Sequence, residues 1–271
     1  MKLDTLYQFL FTRSTLVRSI GSKTYYQLAS PFLDTADFLF MNYGYAELGG
    51  SPQTLGLIES DELHRLPIQL YHHLASALDL EGKDVLEVSC GRGGGAAYLA
   101  RYHCPRSLVG IDRTFQAIAY CQRKHRRAGL SFLLCSAEAL GFADECFDVV
   151  VNVEASHLYG RADIFLREAR RVLRQGGYLL LADKRMVAEV NLFRRQFSEC
   201  GLQVVSECNI SANVLEAIRQ QQAARTRSLQ DLLPRHVAWL AIHVLGADGS
   251  QLANAIAAGR ATYLSLVIHK A

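Results

Sequence analysis

What the chain lacks removes several classes of protein. No window approaches the roughly 20 apolar residues of a membrane-spanning helix, so no such span is expected in its 271 residues. The stretch Met1 to Ser30 has no uninterrupted apolar core and carries Asp4, Arg13, Arg18 and Lys23, which argues against a secretory signal. Cysteine occurs seven times, but without Cys-x-x-Cys spacing and without a ligand-spaced histidine pair. Neither a disulfide framework nor a zinc site is expected, and the thiols fit a reducing cytoplasm. No Asp/Glu/His cluster marks a metal site, so metal-independent chemistry is expected. The net charge of +3 is small. The basic runs Arg123-Lys124-His125-Arg126-Arg127 and Arg167, Arg170, Arg171, Arg174 fall on expected helices without interleaved aromatics, and read as solvated helix faces rather than a nucleic-acid groove.

Half of the residues are hydrophobic, enough for one large α/β domain, or for one domain with an added lid. From Lys83 onward short apolar runs alternate with amphipathic ones, the pattern of a mostly parallel, doubly wound sheet covered by helices. Strands are expected near 83–89, 107–112, 130–135, 147–153 and 177–183. Helices are expected near 94–103, 114–128 and 161–174, the last closed by a left-handed cap at Gln175-Gly176-Gly177. Beyond these come a helix at 186–200, a strand at 202–207, a polar helix at 212–232, helical segments near 235–245 and 248–259, and a final strand at 262–269. The organisation expected is a helical cap over residues 1–80 and a ligand-binding domain over 81–271, with a lid insertion at about 212–260. Within the cap, Leu6 to Ile20 is amphipathic and is expected to pack on the domain rather than on a membrane. The loop Met41 to Gly50, with glycines beside exposed aromatics, reads as a mobile flap.

The densest signal is Val85-Leu86-Glu87-Val88-Ser89-Cys90-Gly91-Arg92-Gly93-Gly94-Gly95, an apolar strand running through an acid into a glycine-rich turn. Such a turn brings a ligand close to the backbone and to the free N–H groups of the following helix. That much would also fit a dinucleotide. Glu87 decides, because a carboxylate here repels a pyrophosphate and suits the cationic amino group of S-adenosylmethionine. Asp112 ends the next strand, Val109-Gly110-Ile111-Asp112, about where ribose hydroxyls would lie. On sequence alone the alternative stays open that Glu87 and Asp112 cap strands or pair with Arg92 or Arg113.

Together these residues, with Val151-Asn152-Val153-Glu154-Ala155-Ser156-His157-Leu158-Tyr159, resemble the class I S-adenosylmethionine-dependent methyltransferases. Within that family the run from Val151 resembles the small-molecule branch that includes the phthiotriolone and phenolphthiotriolone dimycocerosates methyltransferases. The resemblance implies a Rossmann-like, mostly parallel seven-stranded sheet with S-adenosylmethionine as cofactor. It implies that Glu87, Ser89, Gly91 and Gly93 line the methionine end and that Asp112 binds the ribose. Ser136 and Ala137 would address the adenine, though the family's usual Gly-Asp-Ala-Glu reads Cys135-Ser136-Ala137-Glu138 here. Ser89 likewise replaces a usual glycine. Asn152 would face the cofactor, or else simply form a turn.

Methyl transfer is an in-line displacement, so it depends on holding acceptor and methyl in a near-attack geometry. A hydroxyl or acidic C–H acceptor also needs a base, and His157, beside the expected methyl position, is the candidate. Glu154 would orient His157 or contact cofactor, or be a solvated loop acid. The other histidines, His72, His73, His103 and His125 among them, read as surface or core filler. Tyr43 and Tyr159 are expected in an aromatic wall around an apolar acceptor. The expectation is an O- or C-methyltransferase of a hydrophobic small molecule such as a polyketide or lipid. An N-methyltransferase and a non-methylating cyclase or rearrangement enzyme on the same scaffold are the alternatives. The oligomeric state, a homodimer included, is left open.

Overall fold

The computed structural model describes residues 39–49, 55–232, 234–239, 242 and 249–271. The amphipathic segment Leu6 to Ile20 lies outside them, as do residues 240, 241 and 243–245 of the expected 235–245 segment and residue 248 of the next. Seven strands form one sheet: β1 (Asp84–Val88), β2 (Ser107–Asp112), β3 (Leu130–Leu134), β4 (Phe147–Val153), β5 (Leu173–Met186), β6 (Gln203–Asn209) and β7 (Ala261–His269). Their order is β3-β2-β1-β4-β5-β7-β6. The first five run parallel, and β7 is antiparallel to both β5 and β6. The order reverses between β1 and β4, so a crevice opens above the carboxyl ends of these strands, where ligands bind in open α/β sheets.

Strand alternation sorts the core into two layers. Val85, Val149, Val151, Leu180 and Ala182 pack on one face with helices Arg65–Ala75 and Gly94–Tyr102. Leu86, Val88, Val150, Leu179 and Leu181 pack on the other with helices Ala162–Val172 and Val187–Glu199. Glu87 shares the face of Val85, whereas Asn152 and Asp183 fall on the opposite face. Helix Arg65–Ala75 buries Ile68, Leu70, Tyr71 and Leu74 in the same cluster as β1.

Three local expectations give way. Helix Ala162–Val172 stops short of the expected glycine cap, because Leu173 is already extended and begins β5. Gly176, at φ +76°, lies instead inside the strand, where the β4–β5 register shifts, and its N–H bonds the Lys270 carbonyl. Helix Phe115–Lys124 ends early, as His125 leaves the helical conformation and its Nε2 meets the Arg92 carbonyl at 2.8 Å. His125 is therefore an anchor of the glycine turn rather than filler. The expected flap is not built on exposed aromatics either: Phe40, Tyr43 and Tyr45 are buried. Tyr45 N donates to the Leu66 carbonyl, and Asn213 Nδ2 donates to the Ala46 carbonyl at 2.9 Å. Arg225 donates to the Asn42 carbonyl at 3.0 Å, and Gln221 to that of Tyr43. Residues 39–46 thus form a strap, fastened by helix Ser211–Leu232.

Candidate active site

The strap and the glycine turn enclose a cleft at the sheet's switch point. Ser89, Gly91, Asp112, Ser136, Ala137 and Tyr159 line it, as expected from sequence. So do Tyr71, Gly94, Gly95, Glu154 and strap residues Leu39 to Asn42. Gly91 and Gly93 adopt positive φ, which spares the turn the Cβ clash of a left-handed backbone. Gly94 and Gly95 open helix Gly94–Tyr102, whose first turn has no side-chain cap. Its N–H groups are suited to an anionic group such as the methionine carboxylate.

Gly93 does not line the cleft. A Cβ there would stand 2.8 Å from the Phe132 ring and 2.9 Å from His125, so its small size serves packing of the turn on β3. Glu87 does not line it either. It is buried behind Tyr71, whose hydroxyl donates to Oε1 at 2.6 Å, and it accepts the Ala96 N–H. Burial raises its carboxyl to about 7, and Oε2 has no partner among the described residues. An unpartnered carboxyl oxygen directly behind two cleft-lining residues fits a ligand ammonium, which would supply the missing donor and favour the charged form.

Asp112 holds the turn from the next strand. Its Oδ2 accepts Gly91 N–H at 3.1 Å and its Oδ1 accepts Thr114 N–H at 2.8 Å, which fixes the carboxylate at the cleft wall with lone pairs left for ribose hydroxyls. Ser136 and Ala137 lie where the cleft passes β3. Ser136 Oγ accepts Glu138 N–H at 3.2 Å, closing the turn that presents both residues.

Asn152 is fully buried and outside the cleft wall. Its Nδ2 donates to the Val88 carbonyl at 3.0 Å and to the Tyr159 hydroxyl at 2.9 Å. That hydroxyl also lies 2.7 Å from Ser89 Oγ. Tyr159, which lines the cleft, is thereby tied to the glycine turn. Ser89 and Glu154 hold φ of +61° and +51°, strained values for residues with a Cβ, and both line the cleft. Tyr43, within the strap, is buried and does not line the cleft. Its N–H donates to Glu154 Oε1 at 2.7 Å, and its hydroxyl accepts from Lys184 Nζ at 3.3 Å. Tyr263 also donates to Glu154 Oε1, at 2.8 Å.

His157 follows β4 in a short helical turn, Ser156–Leu158; Ala155 and Leu158 line the cleft, whereas His157 itself, its side chain 13% exposed, does not. Its Nδ1 lies 2.6 Å from Asp183 Oδ1. Asp183 also accepts from Ser156 Oγ at 2.6 Å, His157 N–H at 2.9 Å and Arg185 Nη1 at 2.9 Å. His157 and Arg185 beside it hold Asp183 far below the ordinary carboxylate range despite its burial. Burial lowers the His157 imidazole to about 4, against the pull of Asp183. Asp183 ends the apolar run Leu179-Leu180-Leu181-Ala182, the same signal that exposed Glu87 and Asp112 in the sequence. Tyr71 and Gly95 carried no such signal, since their roles exist only in mutual contact.

Among the described residues no helix is long and apolar enough to cross a membrane. A methyltransferase domain model matches residues 86–181. The chain is 45% identical over 200 residues, 74% of its length and 72% of the relative's, to a fatty-acid O-methyltransferase of Mycolicibacterium smegmatis. It is 40% identical over 263 residues, 94% and 96% of the two chains, to a phthiotriol/phenolphthiotriol dimycocerosates methyltransferase of Mycobacterium tuberculosis. Its fold is similar to that of the [4+2]-cyclase SpnF, with TM-score 0.71 at 20% identity over 90% of this chain and 93% of that one. It is also similar to that of geranyl diphosphate C-methyltransferase from Streptomyces coelicolor A3(2), with TM-score 0.66 at 15% identity over 91% and 98%. At these identities and coverages, on this sheet, the chain belongs to the S-adenosylmethionine-dependent methyltransferases.

Proposed function

We propose that the enzyme methylates a hydroxyl oxygen of a hydrophobic, lipid-like acceptor, with His157 as general base oriented by Asp183. The observation that carries this is the 2.6 Å contact between His157 Nδ1 and Asp183 Oδ1. With Asp183 ionised, Nδ1 carries the imidazole proton and donates it, which leaves the Nε2 lone pair free to accept one. Asp183 then stabilises the imidazolium as the acceptor loses its proton. Bound S-adenosylmethionine supplies an electrophilic methyl on a sulfonium. Tyr71, Glu87 and Asp112 bind and orient, while the strap, fastened by Asn213, Gln221 and Arg225, excludes water. Relatives named for fatty-acid and phthiotriol substrates support a lipid acceptor and oxygen as the methylated atom. Helix Ser211–Leu232 and the strap are the elements we assign to enclosing it. An odd number of cysteines without paired spacing supports action in a reducing cytoplasm.

The test is transfer of a labelled methyl to long-chain alcohols, hydroxy-lipids and fatty acids. His157→Ala and Asp183→Asn should lower turnover on hydroxyl acceptors by about 10²–10⁴-fold and leave S-adenosylhomocysteine affinity intact. A fall of only a few-fold on hydroxyl acceptors would remove the base role. Turnover of carboxylates alone, which are already ionised at neutral pH, would replace the acceptor assignment.

A further inference from the structure

Among the described residues, only the second of the two basic runs is paired with acids, and that in part. Arg171 pairs with Glu168 and Asp144, and Arg174 with Asp84 and Asp148. Arg123, Lys124, Arg126 and Arg127 are exposed, at the end of helix Phe115–Lys124 and just beyond it. No Asp or Glu occurs anywhere from 113 to 137. The same flank carries bare apolar side chains: Phe115 is 67% exposed, and Leu134, on edge strand β3, is 55% exposed. Leu134 is in register with Asp112, so it lies at the same strand end from which the chain enters the helix at Phe115. At 1.5 Å per residue the apolar and cationic ends lie roughly 14 Å apart along one helix.

We infer that this flank, helix Phe115–Lys124 with edge strand β3, docks on an anionic lipid surface. Exposed cations meet lipid phosphates, and Phe115 and Leu134 enter the boundary between headgroups and acyl chains. Duplex nucleic acid would use the cations but leaves the leucine and phenylalanine without a role. A two-fold contact with a second copy would bring the same positive charges face to face. The flank borders the cleft, since Ala117 of the helix lines it, as do Thr114 and Ser136 just beyond the two elements. Docking therefore keeps the enzyme beside a reservoir of apolar molecules, whatever acceptor it uses.

The test is cosedimentation of the full chain with vesicles of phosphatidylcholine alone, and of equal parts phosphatidylcholine and phosphatidylglycerol. Binding is expected only to the anionic vesicles, and it should weaken as salt is raised. Each cation near such a surface is worth roughly fivefold in affinity. The combined Arg123→Gln, Lys124→Gln, Arg126→Gln, Arg127→Gln variant should therefore bind more than about 100-fold more weakly, with S-adenosylhomocysteine affinity unchanged as the check on folding. Should that variant not fold, Arg126→Glu with Arg127→Glu, both outside the helix, tests the same charge. Phe115→Ser with Leu134→Ser should weaken vesicle binding while preserving its salt dependence. Equal binding to both vesicles, wild-type binding by the charge variants, or tighter binding to a duplex oligonucleotide would each overturn the inference.

Discussion

Tyr71 reaches Glu87 through a space that exists only because residue 95 is glycine. The hydroxyl donates to Glu87 Oε1 at 2.6 Å, and a Cβ on Gly95 would stand 2.0 Å from Tyr71 Cζ. A helix from the region before the first strand thus supplies the partner of an acid in that strand, and the helix that follows makes room for it.

Gly95→Ala should therefore overpack a closed site, at a cost of about 1–3 kcal/mol, and lower S-adenosylhomocysteine affinity at least about tenfold as Tyr71 is displaced. Adding Tyr71→Ala should recover part of the stability, since the clash then has no ring to meet. Thermal melting and calorimetry on the wild type and the two variants measure this. A melting point for Gly95→Ala equal to wild type would deny the close approach.

Cofactor binding should release a proton near neutral pH. Glu87 sits at about 7 without a ligand cation, and an ammonium placed against it favours the charged form and lowers that value. Calorimetry of S-adenosylhomocysteine binding at about pH 6.5, in buffers of different ionisation enthalpy, should show the release. Glu87→Gln should abolish it. A buffer-independent enthalpy in the wild type would show that the amino group is held elsewhere.

The contribution of the two buried acids to stability should fall as pH rises through the region below 7. Glu87 and Glu154 are both raised by burial from 4.5 to about 7, so between these values each binds more proton in the folded protein than in the unfolded chain. Their contribution is greatest on the acid side and is lost as pH rises towards 7. His157, lowered by burial from 6.5 to about 4, acts in the opposite sense over the same interval, as do the lowered His72, His73, His103 and His125, and Asp183, held low, does so only at far more acid pH. Comparison with the combined Glu87→Gln, Glu154→Gln variant isolates the acids: the melting point of the wild type relative to the variant should decline across the range. A difference that stays constant or grows with pH would contradict the burial of these acids.

The pH–rate profile should place the acid limb of His157 near 4 rather than near the ordinary 6.5, because the buried imidazole resists protonation. At neutral pH the group is already in its base form, and turnover should be flat there with respect to His157. Asp183→Asn should lower kcat without moving KM much, since it withdraws the tautomer's anchor rather than a substrate contact. An acid limb at 6.5 that moves in His157→Gln would show a solvated imidazole.

Much of the cofactor wall was legible because it is local in sequence. The glycine turn, Ser89 and Asp112 sit at strand ends, where alternation and turn chemistry fix both the backbone and the direction of approach. The His157 position followed β4 for the same reason. The strap was misread as an exposed flap because Tyr43 lies against Gln221 and Arg225 of helix Ser211–Leu232, far along the chain, while Phe40 packs on Tyr71 and Tyr45 on His73 of helix Arg65–Ala75. Gly176 was misread as a helix cap because a left-handed glycine serves a cap and a strand irregularity equally well, and only pairing with Lys270 distinguishes them.

The sequence by itself determined the parallel sheet, the cofactor class and the strand ends that carry the acids, because these depend on residue type at short, periodic spacing. Only the tertiary structure decided that Tyr71 caps Glu87, that Asn152 holds Tyr159 rather than cofactor, and that Asp183 orients His157. These are contacts between residues 16, 7 and 26 positions apart, set by which face of the sheet each side chain takes and by what packs against that face. A single chain read in order carries the alternation that fixes the face, but not the neighbour waiting there.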